Sequence, residues 1–429
     1  MTLPTQPESS TLDTMSGASD PPPPVKGTLT RLLIWIFPAN FFVFLMWGAI
    51  PGTLLTKQVE NLVGSHHVVE SMIVVSTLGA ICAMIAQPVA GQVSDRTRSR
   101  FGRRAPWMII GVIVGGIGLI GLASLGSTIA GITIAWCVVQ IAYNFVQGPL
   151  SAILPDRIPL NRRGTFSSII GFGLLAGSTV GAIVGAQFLS MIPLAYLVFA
   201  IVVGVVIVLF VITNPDHDNR SEPKPPLNIS GFLHTFWVNP VKHPDFFWAF
   251  LGRLLLYTGY FAVAQYQLLL LQHYIKLTPD GVVTMLSTAP LIGLVCMIIS
   301  IWIGGPLSDK IGRRKPFVFA ASALMGVALL VPWVSPTATG WIVYTIIMGF
   351  GFGTFTSVDT ALMSQVLPSS ESFGKDLGVV NIAATLPQVL APAIAGVIVL
   401  SAGYGAMFPA GFVVAILGAF CVFFIKSVK

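Results

Sequence analysis

Apolar runs long enough to cross a lipid bilayer recur along the whole of this 429-residue chain. A helical span needs about 20 predominantly apolar residues, because the hydrocarbon layer is about 30 Å thick and a helix rises about 1.5 Å per residue. Charged residues make up only 9% of the chain, which is far too few to cover the surface of a soluble protein of this size. The sequence therefore predicts an all-α membrane protein.

Windows of membrane length predict twelve transmembrane helices. Their approximate limits are 31–51, 66–90, 105–125, 129–154, 165–188, 192–213, 246–271, 279–303, 316–333, 341–367, 377–400 and 404–425. The even number places both termini on one side of the membrane.

The basic residues indicate which side that is. The loops after spans two, four, six, eight and ten, together with both tails, hold 20 of the 23 Lys and Arg residues; Lys57, Arg253 and Lys276 are the others. The positive-inside rule then predicts cytoplasmic termini, in a protein of the cell membrane. The net charge of +7 does not indicate a nucleic-acid partner, because these bases lie in short loops without interleaved aromatic residues.

The chain divides into four segments. Residues 1–27 are rich in Pro, Ser and Thr and are predicted to form a disordered cytoplasmic tail rather than a signal peptide. Two six-helix bundles are expected at 28–213 and 246–429. A cytoplasmic linker at 214–245 separates them, and its residues 230–238 have the apolar pattern of a helix lying on the membrane surface.

The two halves repeat each other. Residues 91–96 match residues 305–310 at an offset of 214, and both loops run on to Gly-Arg-Arg-x-Pro at an offset of 210, so that the first loop is longer by residues 97–100. Leu-Pro after span four and Leu-Pro after span ten are 213 apart. Duplicated halves about an axis along the membrane normal are typical of transporters.

These loops carry a family resemblance. The second loop, Gly305-x-x-x-Asp309-Lys310-x-Gly312-Arg313-Arg314, resembles the signature loop of the major facilitator superfamily. The first, with its four extra residues, is similar to that of the glycoside–pentoside–hexuronide symporters, the plant sucrose/proton symporters and related bacterial transporters. The resemblance implies two pseudo-symmetric bundles, spans one, four, seven and ten around a central cavity, a monomeric working unit and a proton as coupling ion.

The charged residues of both loops are candidates for a cytoplasmic gate. Each Asp lies where a helix ends at the cytoplasm, where it can accept hydrogen bonds from a helix N-terminus or from Arg. Charge-assisted contacts between helix ends could hold that side shut; the alternative is that the bases only fix topology. The candidate gate residues are Asp95, Arg96, Arg103, Arg104, Asp309, Lys310, Arg313 and Arg314.

Two opposite charges lie inside spans at similar depth. Arg253 is near the start of span seven, and Asp359 is near the end of span ten. Because an isolated charge at mid-membrane costs about 2.5–3.5 kcal/mol, we expect them to form an ion pair. Asp359 is the candidate for proton coupling, with Arg253 tuning its proton affinity. The alternative is an ion pair that has only a structural role.

Polar side chains on single helix faces predict the substrate cavity. Amide and phenol groups suit a neutral, hydroxyl-rich solute, because they donate and accept without requiring a counter-charge. Some of them could instead form hydrogen bonds between helices. The candidates are Asn40, Gln140, Asn144, Gln147, Arg253, Tyr257, Tyr260, Asn381 and Gln388, and the repeat offset of 213 aligns Asn40 with Arg253.

Other motifs do not indicate an enzyme, a metal site or a cofactor. The four cysteines lie in apolar runs, and His66-His67 has no evident third ligand. No Walker loop or catalytic constellation is seen, which argues against an ATP-driven pump. The glycines of Gly177-x-x-x-Gly181-x-x-x-Gly185 are expected to let helices approach closely.

The sequence therefore predicts a secondary transporter that moves a sugar or similar small polar solute by proton-coupled alternating access. Its expected partners are that solute, the bilayer and protons. Two alternatives stay open. Efflux of amphipathic compounds by proton antiport would need a broad aromatic and methionine lining, and a non-transporting receptor on the same fold would need neither gate loops nor a buried charge pair.

Overall fold

Twelve long helices run through the computed structural model, which describes residues 28–159, 162–221, 223, 242–366 and 373–426. In chain order they are α1 (Thr28–Ala49), α2 (Val68–Arg96), α3 (Ala105–Ser124), α4 (Ile129–Arg157), α5 (Arg163–Gln187), α6 (Ile192–Thr213), α7 (Pro244–Gln265), α8 (Pro279–Ile311), α9 (Lys315–Val334), α10 (Ala338–Val366), α11 (Phe373–Ala402) and α12 (Met407–Cys421).

The first helix of each half has an irregular extension. α1 continues through a π-helical segment, Ile50–Leu55, into a short helix, Thr56–Val63. α7 continues through Gln267–Leu269 into a second π-helical segment, Leu270–Tyr274.

The predicted fold class is confirmed. Eleven segments are long and apolar enough to cross a membrane, and α11 contributes a shorter apolar helix, Leu386–Ala402. The helix ends differ from the predicted limits: α2 continues to Arg96 and α8 to Ile311. Hydropathy windows end where charge begins, whereas a backbone helix can continue beyond the hydrocarbon layer. The predicted tail at 1–27 and the predicted surface helix at 230–238 lie outside the described residues.

The two halves pack their helices in the same way. In the first half, α1 contacts α5 and α6, α2 contacts α4, and α3 contacts α4 and α6. In the second half, α7 contacts α11 and α12, α8 contacts α10, and α9 contacts α10 and α12. Adding six to both helix numbers of a first-half pair gives the corresponding pair of the second half. The interface between the halves, α2 with α11 and α5 with α8, follows the same symmetry.

Close packing of α5 on α1 depends on glycine. A Cβ atom at Gly177 would overlap the backbone carbonyl oxygen of Phe41, and one at Gly181 would overlap that of Leu45. Backbones this close leave no space for a side chain. The close approach predicted from the glycine spacing is therefore confirmed, and its partner is α1.

The bundle has two chemically different ends. We call the end where α2, α4, α6, α8 and α10 finish the basic end, and the other the opposite end. Several contacts between the halves lie at the opposite end. Gln187 donates a hydrogen bond to Ser287 (3.0 Å), and Glu60 contacts His273 (2.7 Å). Near this end, Gly396 of α11 lies against the side chain of Ile73 of α2. The halves are thus joined there.

Candidate functional site

The predicted ion pair between α7 and α10 is present. Arg253 Nε lies 3.3 Å from Asp359 Oδ2, with side chains 12% and 4% exposed. The contact does not have hydrogen-bond geometry, and neither atom has a hydrogen-bond partner elsewhere in the described structure. Buried charges are normally both paired and hydrogen-bonded. This pair therefore retains the capacity to bind another group.

Aromatic rings surround the pair. The guanidinium of Arg253 lies 5.6 Å from the ring centroid of Tyr257, which stacks on Phe352 of α10 at 5.8 Å. Tyr260 contacts the same Phe352 at 4.9 Å, and Phe355 lies edge-on to Tyr257. The predicted α7 stripe of Arg253, Tyr257 and Tyr260 thus packs against one face of α10. Phe352 and Phe355 were not predicted, although their spacing of seven and four from Asp359 places them on its face.

The predicted amides of α1 and α4 are partly engaged within their own helices. Asn40 Nδ2 donates to the carbonyl oxygen of Ile36 (2.8 Å), and Asn144 Nδ2 donates to that of Gln140 (2.8 Å). Both asparagines are buried, whereas Gln140 and Gln147 are partly exposed. The amide nitrogens thus bond to their own backbones.

Two aromatic residues beside these amides also carry polar atoms, and sequence reasoning missed them. Trp47 of α1 and Tyr143 of α4 lie edge to face, with ring centroids 6.4 Å apart. The indole Nε1 of Trp47 and the hydroxyl of Tyr143 are buried without a hydrogen-bond partner in the described structure. Trp47 lies seven residues after Asn40, on the same face of α1, and this spacing was the available signal.

The other candidates are placed only in part. Gln388 is exposed on α11. The side chains of Asn381 and Asp309 lie outside the described part of the structure. Lys310 and Arg313 are exposed at the end of α8, and Arg314 is partly buried.

The first signature loop forms a charge network at the basic end. The buried Arg104 makes ion pairs with Asp95 (2.6 Å) and Asp156 (2.8 Å), and it donates to Ser94. Arg103 contacts the other oxygen of Asp156 at 2.8 Å. These contacts join the ends of α2, α3 and α4, all in the first half. Arg96 has a buried Nη1 without a hydrogen-bond partner in the described structure.

Asp156, the central acid of this network, was not predicted. It directly follows the Leu154-Pro155 pair that marks the repeat, and it is an acid among bases. That position was a usable signal. The gating role of the loop stays a prediction, because the contacts described for it lie within one half.

The four extra residues of the first loop bind the start of the linker. Asn219 is 1% exposed; its Nδ2 donates to the carbonyl oxygen of Thr97 (3.0 Å), and its Oδ1 accepts from the backbone N–H of Ser99 (2.9 Å). Arg98 donates to the carbonyl oxygen of Pro223. The insertion therefore fixes the linker against the first half.

Two pseudo-symmetric groups of six spanning helices, with a buried charge pair between helices of one half, define a polytopic α-helical membrane transport protein. The chain belongs to the Major Facilitator Superfamily, whose sequence model matches residues 36–372 and 281–429.

Similar proteins with known names agree with this class. Sucrose transport protein SUT4 of Oryza sativa subsp. indica is 28% identical over 187 residues, which cover 39% of this chain and 31% of that protein. The match thus spans about a third of the relative's length. Among solved structures, the nucleoside transporter NupG superposes with a TM-score of 0.72 at 16% identity, covering 92% of this chain and 100% of the other. A D-xylose-proton symporter superposes with a TM-score of 0.70 at 14% identity, covering 94% and 98%. At identities of 16% and 14%, these superpositions establish the fold alone.

Proposed function

We propose that this protein moves a sugar or similar small, hydroxyl-rich solute across the membrane by alternating access, coupled to protons. The observation that carries the proposal is the buried Arg253–Asp359 pair, whose facing atoms have no hydrogen bond within the described part of the chain. Since Asp359 Oδ2 contacts Arg253 without a hydrogen bond, this oxygen can exchange that contact for a proton. Protonation of Asp359 would release Arg253, and the change in charge is the step that couples proton binding to solute binding.

The aromatic rings beside the pair, and separately the amides of α4, favour a polyhydroxylated solute. The rings of Tyr257 and Tyr260 and the amides of Gln140, Asn144 and Gln147 offer flat apolar surface together with neutral donors and acceptors. Sugars present this combination of apolar faces and hydroxyl edges. Two of the similar proteins carry the names sucrose transport protein and D-xylose-proton symporter, which supports the same solute class.

The charge distribution supports an orientation with the basic end in the cytoplasm of a cell-membrane protein. The contacts between the halves at the opposite end then correspond to a conformation that is closed on the outer side. Each half would rock about the solute site, and one chain would suffice as the working unit.

A second candidate function is proton-antiport efflux of amphipathic compounds. It is favoured by the continuous aromatic group of Tyr257, Tyr260, Phe261, Phe352 and Phe355, in which each ring contacts at least one other. Such a group would also bind an apolar ring system. The amides of the first half favour the sugar over an amphipathic cation, because a cation with apolar rings makes few hydrogen bonds to amide groups.

Purified protein in liposomes loaded with a pH-sensitive dye tests the proposal. Monosaccharides, disaccharides, polyols and amphipathic cations would be added one at a time. A pH change that follows a sugar and disappears in Asp359→Asn supports proton-coupled sugar transport. Asp218→Asn is the matched control, because that carboxylate is 44% exposed and pairs with Arg220 outside the spans. Responses to cations alone would favour efflux.

A further inference from the structure

One ion pair joins the two halves directly among the described residues. Glu60 Oε1 lies 2.7 Å from His273 Nε2, with side chains 10% and 28% exposed. Glu60 belongs to the short helix Thr56–Val63 of the first half, and His273 belongs to the π-helical segment Leu270–Tyr274 of the second half. Both follow the first helix of their half, at the opposite end of the bundle.

The two residues occupy equivalent positions of the repeat. They are 213 residues apart, which is the offset that relates Leu154-Pro155 to Leu367-Pro368 and Asn40 to Arg253. Equivalent positions of two halves can touch only close to the axis that relates the halves. The pair therefore lies on the pseudo-two-fold axis, at the centre of the outer end, where a solute path between the halves would open.

Glu60 is fixed to the first half. Its Oε2 contacts Lys57 Nζ at 2.8 Å, so that the carboxylate is held from two sides. The helix itself is anchored by Gln58, which donates to the carbonyl oxygen of Leu122 (2.7 Å) and accepts from the hydroxyl of Tyr196 (2.7 Å). A movement of the first half would carry Glu60 with it.

His273 is fixed to the second half. Its ring stacks on Tyr404 with centroids 6.0 Å apart and planes inclined by 23°. The next residue, Tyr274, packs on Phe408 of α12 with ring centroids 5.4 Å apart. Because each partner is held by its own half, the outer end cannot open without separating Glu60 from His273.

We infer that Glu60 and His273 form a proton-sensitive latch of the outer gate. Histidine is the side chain whose charge changes most readily near neutral pH. A neutral imidazole can donate one hydrogen bond to Glu60, whereas an imidazolium adds a full opposite charge and strengthens the contact. Protonation of His273 then stabilises the outer-closed conformation, and its deprotonation as the pH rises weakens that closure.

The charged and titratable groups around His273 are of both signs, and only Glu60 among the described ones forms an ion pair with it. Glu60 and Lys57 face it from the short helix, and Tyr404 faces it from the turn Tyr404–Ala406. Asp280 lies in the first turn of α8, which packs on the π-helical segment, and Lys276 follows in the chain. The group in direct contact with His273 is the Glu60 carboxylate, so a positive charge on the imidazole strengthens the contact that joins the halves. The inference rests on the proposed alternating access but not on the identity of the solute.

Distances between spin labels across the outer end test the latch. Labels at Ser127→Cys and Ala402→Cys, with the four native cysteines replaced by alanine, report the separation of the halves by pulsed electron resonance. All variants carry Asp359→Asn together with Arg253→Gln, which removes the other proposed proton site without leaving a buried charge unpaired. We expect the ratio of outer-open to outer-closed molecules to rise about tenfold from about pH 5 to about pH 8, as expected for a hydrogen bond that gains a charge.

Two substitutions decide the outcome. His273→Gln keeps a hydrogen-bond donor without a titrating charge and should make the distances independent of pH; Glu60→Gln should do the same and raise the outer-open fraction. His67→Gln is the matched control. His67 also pairs with a glutamate, Glu70, at 3.4 Å, but both residues are exposed at the start of α2 and therefore belong to the same half. This variant should behave as the parent does. An unchanged pH dependence in His273→Gln, or none in the parent, would overturn the latch. Because the readout needs no solute, it is independent of the transport assay.

Discussion

Two opposite charges of this molecule lie where water is scarce. Arg253 and Asp359 are nearly excluded from solvent, yet their contact lacks hydrogen-bond geometry. Such a pair contributes less to stability than a fully bonded one, but removal of one partner leaves an uncompensated charge. Stability and transport should therefore respond differently to substitutions at these two positions.

The single substitution Arg253→Gln should destabilise the protein by about 3–5 kcal/mol, because Asp359 remains buried without its partner. The double substitution Arg253→Gln with Asp359→Asn should recover most of that loss. Thermal unfolding of purified protein in detergent measures both. Arg220→Gln, at an exposed pair in the linker, is the control and should change little. A double variant no more stable than Arg253→Gln would show that the pair is not the reason for the loss.

Residues whose chemistry is unusual for their surroundings were predictable from the sequence. Arg253 and Asp359 were conspicuous as charges inside apolar runs, and the structure pairs them. Glu60 and His273 were missed because both lie at span ends, where charge is ordinary, and because their contact depends on how the halves are arranged. Trp47 and Tyr143 were missed because an aromatic residue in a span is usually a packing residue. Only the three-dimensional structure shows that their polar atoms have no hydrogen-bond partner among the described residues.

At the scale of elements, α1 and α5 form the tightest described contact between backbones. The glycine spacing predicted that α5 approaches another helix, but it could not name α1, since the partner is set by the topology of the whole half. The π-helical segments after α1 and α7 were also not predictable, because hydropathy is insensitive to whether a turn closes four or five residues back.

Replacement of Gly181 by Leu should separate α1 from α5 and destabilise the protein. The expected loss is at least about 1–3 kcal/mol, the typical cost of overpacking one site. The side chain would overlap the backbone of Leu45, which cannot move without displacing α1. Gly171→Leu is the control on the same helix, because a Cβ there meets no atom within 4 Å. Thermal unfolding in detergent should separate the two variants, and equal losses would contradict the proposed packing.

At the scale of the whole molecule, the sequence repeat and the helix packing describe one symmetry. The offsets of 210 to 214 relate loops, while the matching helix pairs relate complete halves. The repeat was readable because loop motifs survive in both copies. The interface between the halves could not be predicted from the sequence, because no pattern of charged residues indicates that α2 packs on α11 or that α5 packs on α8.

The orientation is testable by labelling in intact cells. With both termini in the cytoplasm, a membrane-impermeant maleimide should label Ser65→Cys, which is exposed between α1 and α2. It should not label Ser221→Cys, which is exposed in the linker at the basic end, until the membrane is permeabilised. The reverse pattern would invert the proposed topology and place the Glu60–His273 pair on the cytoplasmic side.

Proton-coupled movement of a sugar can be measured as accumulation of a radiolabelled disaccharide in proteoliposomes with an acidic exterior. We expect that the internal concentration rises above the external one, that a protonophore abolishes the excess, and that Asp359→Asn only equilibrates the solute. If the wild-type protein equilibrates the disaccharide without ever exceeding the external concentration while the pH gradient persists, proton coupling is contradicted.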